Sequence, residues 1–290
     1  MSNFEMELRI DGKAFNEEEG YNLYLLSKSL ENFNSLLEKS YLTIANRQRM
    51  STKDRELMKI KALDIRSGSF IADISITLLQ TAPALLPIFT SQTPESIWHL
   101  TKNGILFLKA VLEENAKGGS FMTNIDENTG NVNVFNNRGD VIINNVHPDV
   151  FTYVEKAEIN IENITRMIDP KIGFDGIDIK DKNDSEDKLF LGVKDKRLFE
   201  QKTKIEKEPI TFYGEMYNID GDDFKGKVRV YESTEGIEPG EYNFDVLNKD
   251  RDILRKSFLT HKKITALKET VFDPVTLKKK IIRLRIIDIE

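Results

Sequence analysis

Hydrophobic and polar positions change period several times along this chain, and each change marks an element. Phe4–Ile10 alternates and closes on the turn pair Asp11-Gly12, which predicts a short strand. From Tyr21 the apolar positions Leu23, Leu26, Leu30, Phe33, Leu37, Tyr41 and Ile44 step by three or four, so one long amphipathic helix is expected. Lys59 to Ile76 reads as a β-hairpin turning at Arg66-Ser67-Gly68-Ser69. In its second strand Phe70, Ala72, Ile74 and Ile76 should face a core. A second helix opens at Pro94-Glu95 and carries Ile97, Leu100, Gly104, Ile105, Leu108, Val111 and Leu112 on one face. It ends at Ala116-Lys117-Gly118-Gly119-Ser120.

Asn131–Asn145 predicts another hairpin around Asn136-Asn137-Arg138-Gly139-Asp140. The Arg138-Gly139-Asp140 tripeptide spells an adhesion motif, but here it is turn chemistry. His147-Pro148-Asp149 starts a third helix with Val150, Val154, Ala157, Ile161, Ile164 and Ile168 on its apolar face, stopped by Asp169-Pro170. The turn-rich, charged stretch that follows is read as a connector with short strands at Gly176–Lys180 and Lys188–Val193. Beyond it the pattern is all β, with strands expected at Ile210–Tyr217, Gly226–Tyr231, Gly240–Leu247, Lys263–Glu269 and Lys280–Ile289. In the last of these Ile282, Leu284 and Ile286 should point inward, and Arg283 and Arg285 outward.

These elements predict an α+β chain: an N-terminal helix-and-hairpin domain followed by a small C-terminal β-barrel of the OB or SH3-like kind. The expected divisions are 1–170, a charged connector over 171–207, and a barrel over 208–290. Two features carry a resemblance. One is Gly68-Ser69-Phe70 with Ala72-Asp73-Ile74. The other is the barrel from Phe212-Tyr213-Gly214-Glu215 to Leu284-Arg285-Ile286. In these the chain resembles an uncharacterised two-domain family of bacteria and phages, in which an α+β region with a Gly-Ser-Phe hairpin precedes a five-stranded barrel. The resemblance implies a setting in mobile elements and phage–host conflict, as an immune component or an inhibitor of one. It implies no activity.

Composition narrows the chemistry. The chain has 290 residues, a formal net charge of −6 and no cysteine. Disulfides, thiolate nucleophiles and zinc–cysteine or iron–sulfur sites are therefore excluded. His99, His147 and His261 are far apart and form no metal-binding spacing. The acidic run Asp175, Asp178, Asp181, Asp184, Glu186 and Asp187 offers no register with both the glycine and the terminal glutamate of a calcium loop. Gly221-Asp222-Asp223-Phe224-Lys225-Gly226-Lys227 lacks the phosphate-loop spacing. No catalytic, cofactor or metal residue is assigned, and a non-enzymatic role is expected. The polar, acidic N-terminus lacks a secretory signal pattern, so the cytoplasm is the expected compartment.

Two candidate surfaces remain. Ile74 to Pro94 carries no charged residue in a chain of which 31% is charged. With the following helix it offers a candidate apolar interface at Leu85, Leu86, Ile88, Phe89, Trp98 and Phe107. Pro83 and Pro87 interrupt the run, as do its polar residues, so burial is expected rather than a membrane span. Lys262, Lys263, Lys278, Lys279, Lys280, Arg283 and Arg285 make a candidate binding surface on the last two strands, with Tyr213, Tyr217, Tyr231, Tyr242 and Phe258 as aromatics of the same barrel. The leading expectation is a binding and assembly protein that forms homo-oligomers and docks on a protein partner. The alternatives are a membrane-acting effector using residues 74–112, and a barrel that binds nucleic acid or a nucleotide.

Overall fold

The computed structural model describes residues 2–16, 20–66, 69–79, 93–125, 130–200, 202–232, 236–248 and 251–290, the side chain of Ile253 excepted. The chain divides into two compact units, Met1–Glu200 and Gln201–Glu290.

In the first unit the elements run β1 (Ser2–Asp11), β2 (Phe15–Asn16), β3 (Gly20–Tyr21), α1 (Leu23–Ile44), α2 (Thr52–Leu57), β4 (Met58–Arg66) and β5 (Phe70–Leu78). After them come α3 (Pro94–Ala116), β6 (Phe121–Ile125), β7 (Val132–Asn136), β8 (Val141–Val146), α4 (Pro148–Met167), β9 (Gly176–Asp181), β10 (Lys188–Gly192) and α5 (Val193–Phe199). Five strands form an antiparallel sheet in the order β10-β9-β1-β5-β4. The alternation expected of β1 and β5 holds. Met6, Leu8, Ile10, Ala72 and Ile76 are all buried on one face, together with Ile177 and Ile179 of β9. The stretch read as a connector instead completes this sheet, because β9 pairs with β1 and β10 with β9. The break between units therefore falls at Glu200.

Helices α1, α3 and α4 pack on one another, and α3 lies on β1 and β5. Asn22 caps α1 by accepting from the Leu25 amide at 3.1 Å, which turns Leu23 outward; the buried stripe starts at Leu25 and runs through Phe33, Leu36, Leu37 and Tyr41. Pro94 opens α3, as the sequence pattern expected, and Thr93 caps it. Gly104 is required where it stands: a β-carbon there would lie 2.2 Å from Cδ1 of the buried Tyr153 on α4. The hairpin β7–β8 forms as predicted, and β6, not foreseen, adds a third strand beside β7.

The second unit comprises β11 (Lys204–Ile205), β12 (Ile210–Asp220), β13 (Lys225–Val230), β14 (Gly240–Val246), α6 (Arg251–Lys256), β15 (His261–Asp273) and β16 (Lys278–Ile289). All five expected strands are present. They close into a barrel, β12-β13-β14-β16-β15 and back to β12, with β14 and β16 parallel and every other pair antiparallel. This order, with a helix between the third and fourth strands, is that of the OB fold. Phe212, Met216, Val228, Phe244, Ile264, Leu284 and Ile286 fill the interior. Ile282 departs from the expected register. A bulge between the pairs Glu269–Arg283 and Thr270–Ile281 shifts the strand by one residue, so Ile281 packs against the core in its place.

Candidate binding face on the C-terminal barrel

The outer face of β12 is set by the pleat. Phe212, Gly214 and Met216 face in, so Tyr213, Glu215 and Tyr217 face out. Pairing then places their neighbours. Lys263 on β15 lies opposite Tyr213, His261 opposite Glu215, Arg229 on β13 opposite Glu215, and Lys227 opposite Tyr217; Glu241 on β14 lies opposite Arg229. The result is a continuous outer surface of tyrosines among paired charges.

The rings are organised. His261 stacks on Tyr213 with centroids 5.8 Å apart and planes at 22°, and Tyr231 lies tilted against the same imidazole at 5.3 Å. The Tyr231 hydroxyl donates to Glu215 at 2.9 Å, which fixes the ring's orientation. The Arg229 guanidinium sits 4.9 Å from the centre of the Tyr217 ring and donates to Glu241 at 3.0 Å. A hydrogen bond from the Tyr217 hydroxyl, with the Arg229 guanidinium beside it, holds the Glu241 carboxyl below the usual carboxylate range. Tyr213 is 45% exposed and Tyr231 42%, so large aromatic surface meets solvent while its edges are already oriented.

The basic residues singled out in the sequence do not come together. Lys262 and Lys263 lie at one end of the β15–β16 ladder and Lys278, Lys279 and Lys280 at the other. Lys263 pairs with Glu290 at 2.9 Å, and Lys279 approaches Glu206 at 3.5 Å. Lys279 and Lys280 line a cleft of about 830 Å3 with Glu206, Tyr242, Lys268 and Ile281. Glu206 also binds Lys268 at 2.9 Å, so two of the cleft's cations are already matched by an acid.

Arg283 and Arg285 are on the outer side as expected, but they are not free contact groups. Asp245 accepts from Arg283 at 3.0 Å and from Arg285 at 2.5 Å, and Glu269 accepts from Arg285 at 2.9 Å. Asp245 and Glu269 are largely buried, with 13% and 10% of their side chains exposed. The arginines therefore stitch β14, β15 and β16 together. The sequence pattern alone predicts that reversing their charge spares the fold; the ion pairs overturn that. Arg283→Glu with Arg285→Glu is expected to destabilise the barrel by about 2–4 kcal/mol, because two shielded acids lose their partners and gain like charges. Urea titration followed by far-UV circular dichroism measures it, and an unchanged midpoint would contradict the assignment.

In the candidate apolar interface, Trp98 and Phe107 are buried in the first unit's core rather than displayed, and Phe107 packs edge-on to Phe151 at 4.8 Å. Leu85, Leu86, Ile88 and Phe89 lie outside the described residues, as does Gly68. No helix among the described residues is long and apolar enough to cross a membrane. Nor does any group of three histidine or carboxylate side chains among them form a metal site. The outward face of the five-stranded sheet is highly charged but neutralised within itself: Arg66 binds Glu7 and Asp73, Lys180 binds Glu7, and Lys182 binds Asp73. These long side chains cover Asp73, so the polar face of β5 is more shielded than its alternation suggested.

The sequence pattern points to Tyr213, Tyr217 and Tyr231 but not to Arg229, His261, Glu215 and Glu241. Their signal was the tyrosine–glutamate–tyrosine alternation of β12, which becomes a surface only once β13 and β15 are placed beside it. Comparison with known proteins gives no match to any family model, curated protein or solved structure.

Proposed function

We propose that this chain is a non-enzymatic binding and assembly protein that docks on a protein partner through the outer face of its barrel. The observation that carries this reading is the oriented cluster of Tyr213, Tyr231 and His261, bordered by Tyr217 and Arg229. Rigid tyrosines and an arginine are the residues that dominate protein interfaces, since they bring contact area at small entropic cost. Charge favours a protein over a polyanion: Arg229 is matched by Glu241, Lys263 by Glu290, and Glu215 stands in the middle of the face. Phosphate binding calls for uncompensated cations. The resemblance to bacterial and phage proteins extends the proposal to a setting in phage–host conflict. A second reading, single-stranded nucleic acid, draws on the OB strand order, because such barrels bind oligonucleotides on the face of their second and third strands, here β13 with Arg229 and β14 with Glu241.

The test is a photo-crosslinker. Replacing Tyr213 by p-benzoylphenylalanine and irradiating producing cells is expected to yield a protein adduct of one discrete mass. That adduct should fall at least tenfold when Arg229→Ala or Tyr231→Ala is added, with circular dichroism unchanged. Binding of a labelled oligo-dT or oligo-U strand at physiological salt, lost on the same substitutions, would replace the protein reading with the nucleic-acid one.

A further inference from the structure

Strands β14 and β16 close the barrel over a short seam. Their parallel register covers only Phe244–Leu284, Asp245–Arg285 and Val246–Ile286, although β14 starts at Gly240 and β16 at Lys278. Ahead of these pairs the two strands part, and no pairing joins them among the described residues. The parting falls at the bulge that takes Ile282 out of register, where β16 bends. Arg283, donating to Asp245 at 3.0 Å, marks the last tie before the gap.

The gap is the cleft of about 830 Å3 already described. Its floor is apolar: Tyr242 and Ile281 pack against the barrel core, and Ile282 is half-buried beside them. The Tyr242 hydroxyl donates to the Glu238 carbonyl at 2.9 Å, which holds the ring in place.

One wall of the cleft presents backbone. On β14 the Val246 amide donates to the Phe224 carbonyl at 2.9 Å, towards β13. The next amide, of Leu247, donates to the Ile286 carbonyl of β16, also at 2.9 Å. Backbone groups alternate sides along a strand, so Asn243 and Glu241 turn their amides to the same side as Leu247. There β16 has drawn away. The opposite side of β14 is laddered to β13 without a break, from Lys225–Asp245 to Val230–Gly240. The edge Gly240–Asn243 is thus regular, held straight from behind, and open to a guest strand over an apolar floor.

The other wall presents charge. Lys278, Lys279 and Lys280 open β16. Lys279 shares Glu206 with Lys268, at 3.5 and 2.9 Å, whereas Lys278 and Lys280 have no acid partner among the described residues. Glu238 and Glu241 stand on the far side, next to or on β14, and Glu241 is taken by Arg229 and Tyr217. A strand lying in the cleft therefore meets unmatched cations along its β16 side, and acidic side chains complement them.

We infer that the cleft between β14 and β16 takes an extended segment of a partner protein, with apolar and acidic residues alternating, added as a strand to the edge Gly240–Asn243. The inference goes beyond the tyrosine face and uses none of Tyr213, Tyr231 and His261.

The experiment pans a phage-displayed library of random peptides, about seven residues long, against the full chain. Enrichment of sequences that alternate apolar and acidic residues is expected, and the best of them, made with a fluorescent label, should bind in the micromolar range by polarisation. Methylating every second amide of that peptide should abolish binding in one phase and leave it unchanged in the other, since one row of amides faces β14. Lys280→Glu should weaken binding at least tenfold. Asn243→Pro should do the same, because it removes an amide that faces the cleft and none that faces β13. Far-UV circular dichroism checks the fold of both, and Lys280→Glu with the methylated peptides decides the matter if the proline variant does not fold. No enrichment beyond that on the Lys280→Glu chain overturns the inference. So do selected peptides without acidic residues, binding that tolerates methylation in both phases, and displacement of the peptide by oligo-dT, which would make the cleft a polyanion site. Tyr231→Ala should leave peptide affinity unchanged, and Lys280→Glu should leave the Tyr213 crosslink in place, so failure of the docking face and failure of the cleft are told apart.

Discussion

Leu284→Asp is expected to abolish the barrel. Leu284 is fully buried at the centre of β16, opposite Phe244 on β14 and Lys268 on β15. The substitution removes a packed side chain, which costs about 2–5 kcal/mol. It also introduces a carboxylate without a partner, costing several kcal/mol more whether it stays charged or takes up a proton. Together these approach the whole stability of a typical domain, about 5–15 kcal/mol. The chain's single tryptophan, Trp98, lies in the first unit, so its emission follows that unit alone. The expected result is loss of the strand contribution to circular dichroism with native Trp98 emission retained. A native melting profile by both probes would show that the register of β16 is wrong.

That register was only partly legible in the sequence. Leu284 and Ile286 alternate with Arg283 and Arg285, and a strand of either fold class would bury the first pair. Ile282 obeys the same alternation yet lies at a bulge, which is set by how β15 and β16 pair across the barrel. The helices were legible for a related reason: their period is local, and Pro94 and Pro148 mark the starts of two of them. What needed the fold was everything joined over long sequence distances. Asp245 meets Arg283 across 38 residues, and Glu5 and Lys182 meet across 177. A run of basic residues therefore looked like a contact surface when most of it was already paired. The connector misled in the same way. Gly176–Lys180 and Lys188–Val193 read as strands, but nothing local says that the first joins β1 and the second joins the first. β6 escaped notice because five residues of mixed character carry too weak an alternation to compete with the stronger hairpin beside them.

The candidate face is a case where alternation was visible and its meaning was not. Glu215 between Tyr213 and Tyr217 reads as an outward row on one strand. It becomes a bordered aromatic surface because His261 and Arg229 arrive from β15 and β13. The bulge near the end of the β12–β13 ladder comes only after Tyr217, so the tyrosines sit on regular backbone. This matters for binding: the rings are held by a rigid sheet and by bonds to Glu215 and Glu241, and little ordering is left to be done on contact.

Asp54→Ala is expected to be the most damaging polar substitution in the first unit. Asp54 is fully buried and closes a capping box at the start of α2. Its carboxylate accepts from the Ser51 amide at 2.9 Å and the Ser51 hydroxyl at 2.6 Å, while its amide donates to Ser51 Oγ at 3.2 Å. The Tyr41 hydroxyl donates to it at 2.9 Å, and Arg47 forms an ion pair with it. Removing the carboxylate strips the cap and leaves the Arg47 guanidinium without this counter-charge. A loss of about 3–5 kcal/mol is expected, read from denaturant midpoints by Trp98 emission. The pH dependence separates charge from packing. Burial pushes the Asp54 carboxyl up, but the bonds from Ser51 and Tyr41 and the Arg47 charge outweigh it, so its folded pKa lies below the ordinary 3.8. A depressed folded pKa gives stability that is complete above the unfolded value and lost as pH falls through the folded one. The Asp54→Asn variant keeps the shape and cannot ionise. The gap in stability between the natural protein and this variant should therefore be largest near pH 7 and shrink below pH 3.8. A gap that stays constant with pH would mean that Asp54 acts through shape alone, and that the Arg47 pair contributes nothing to the fold.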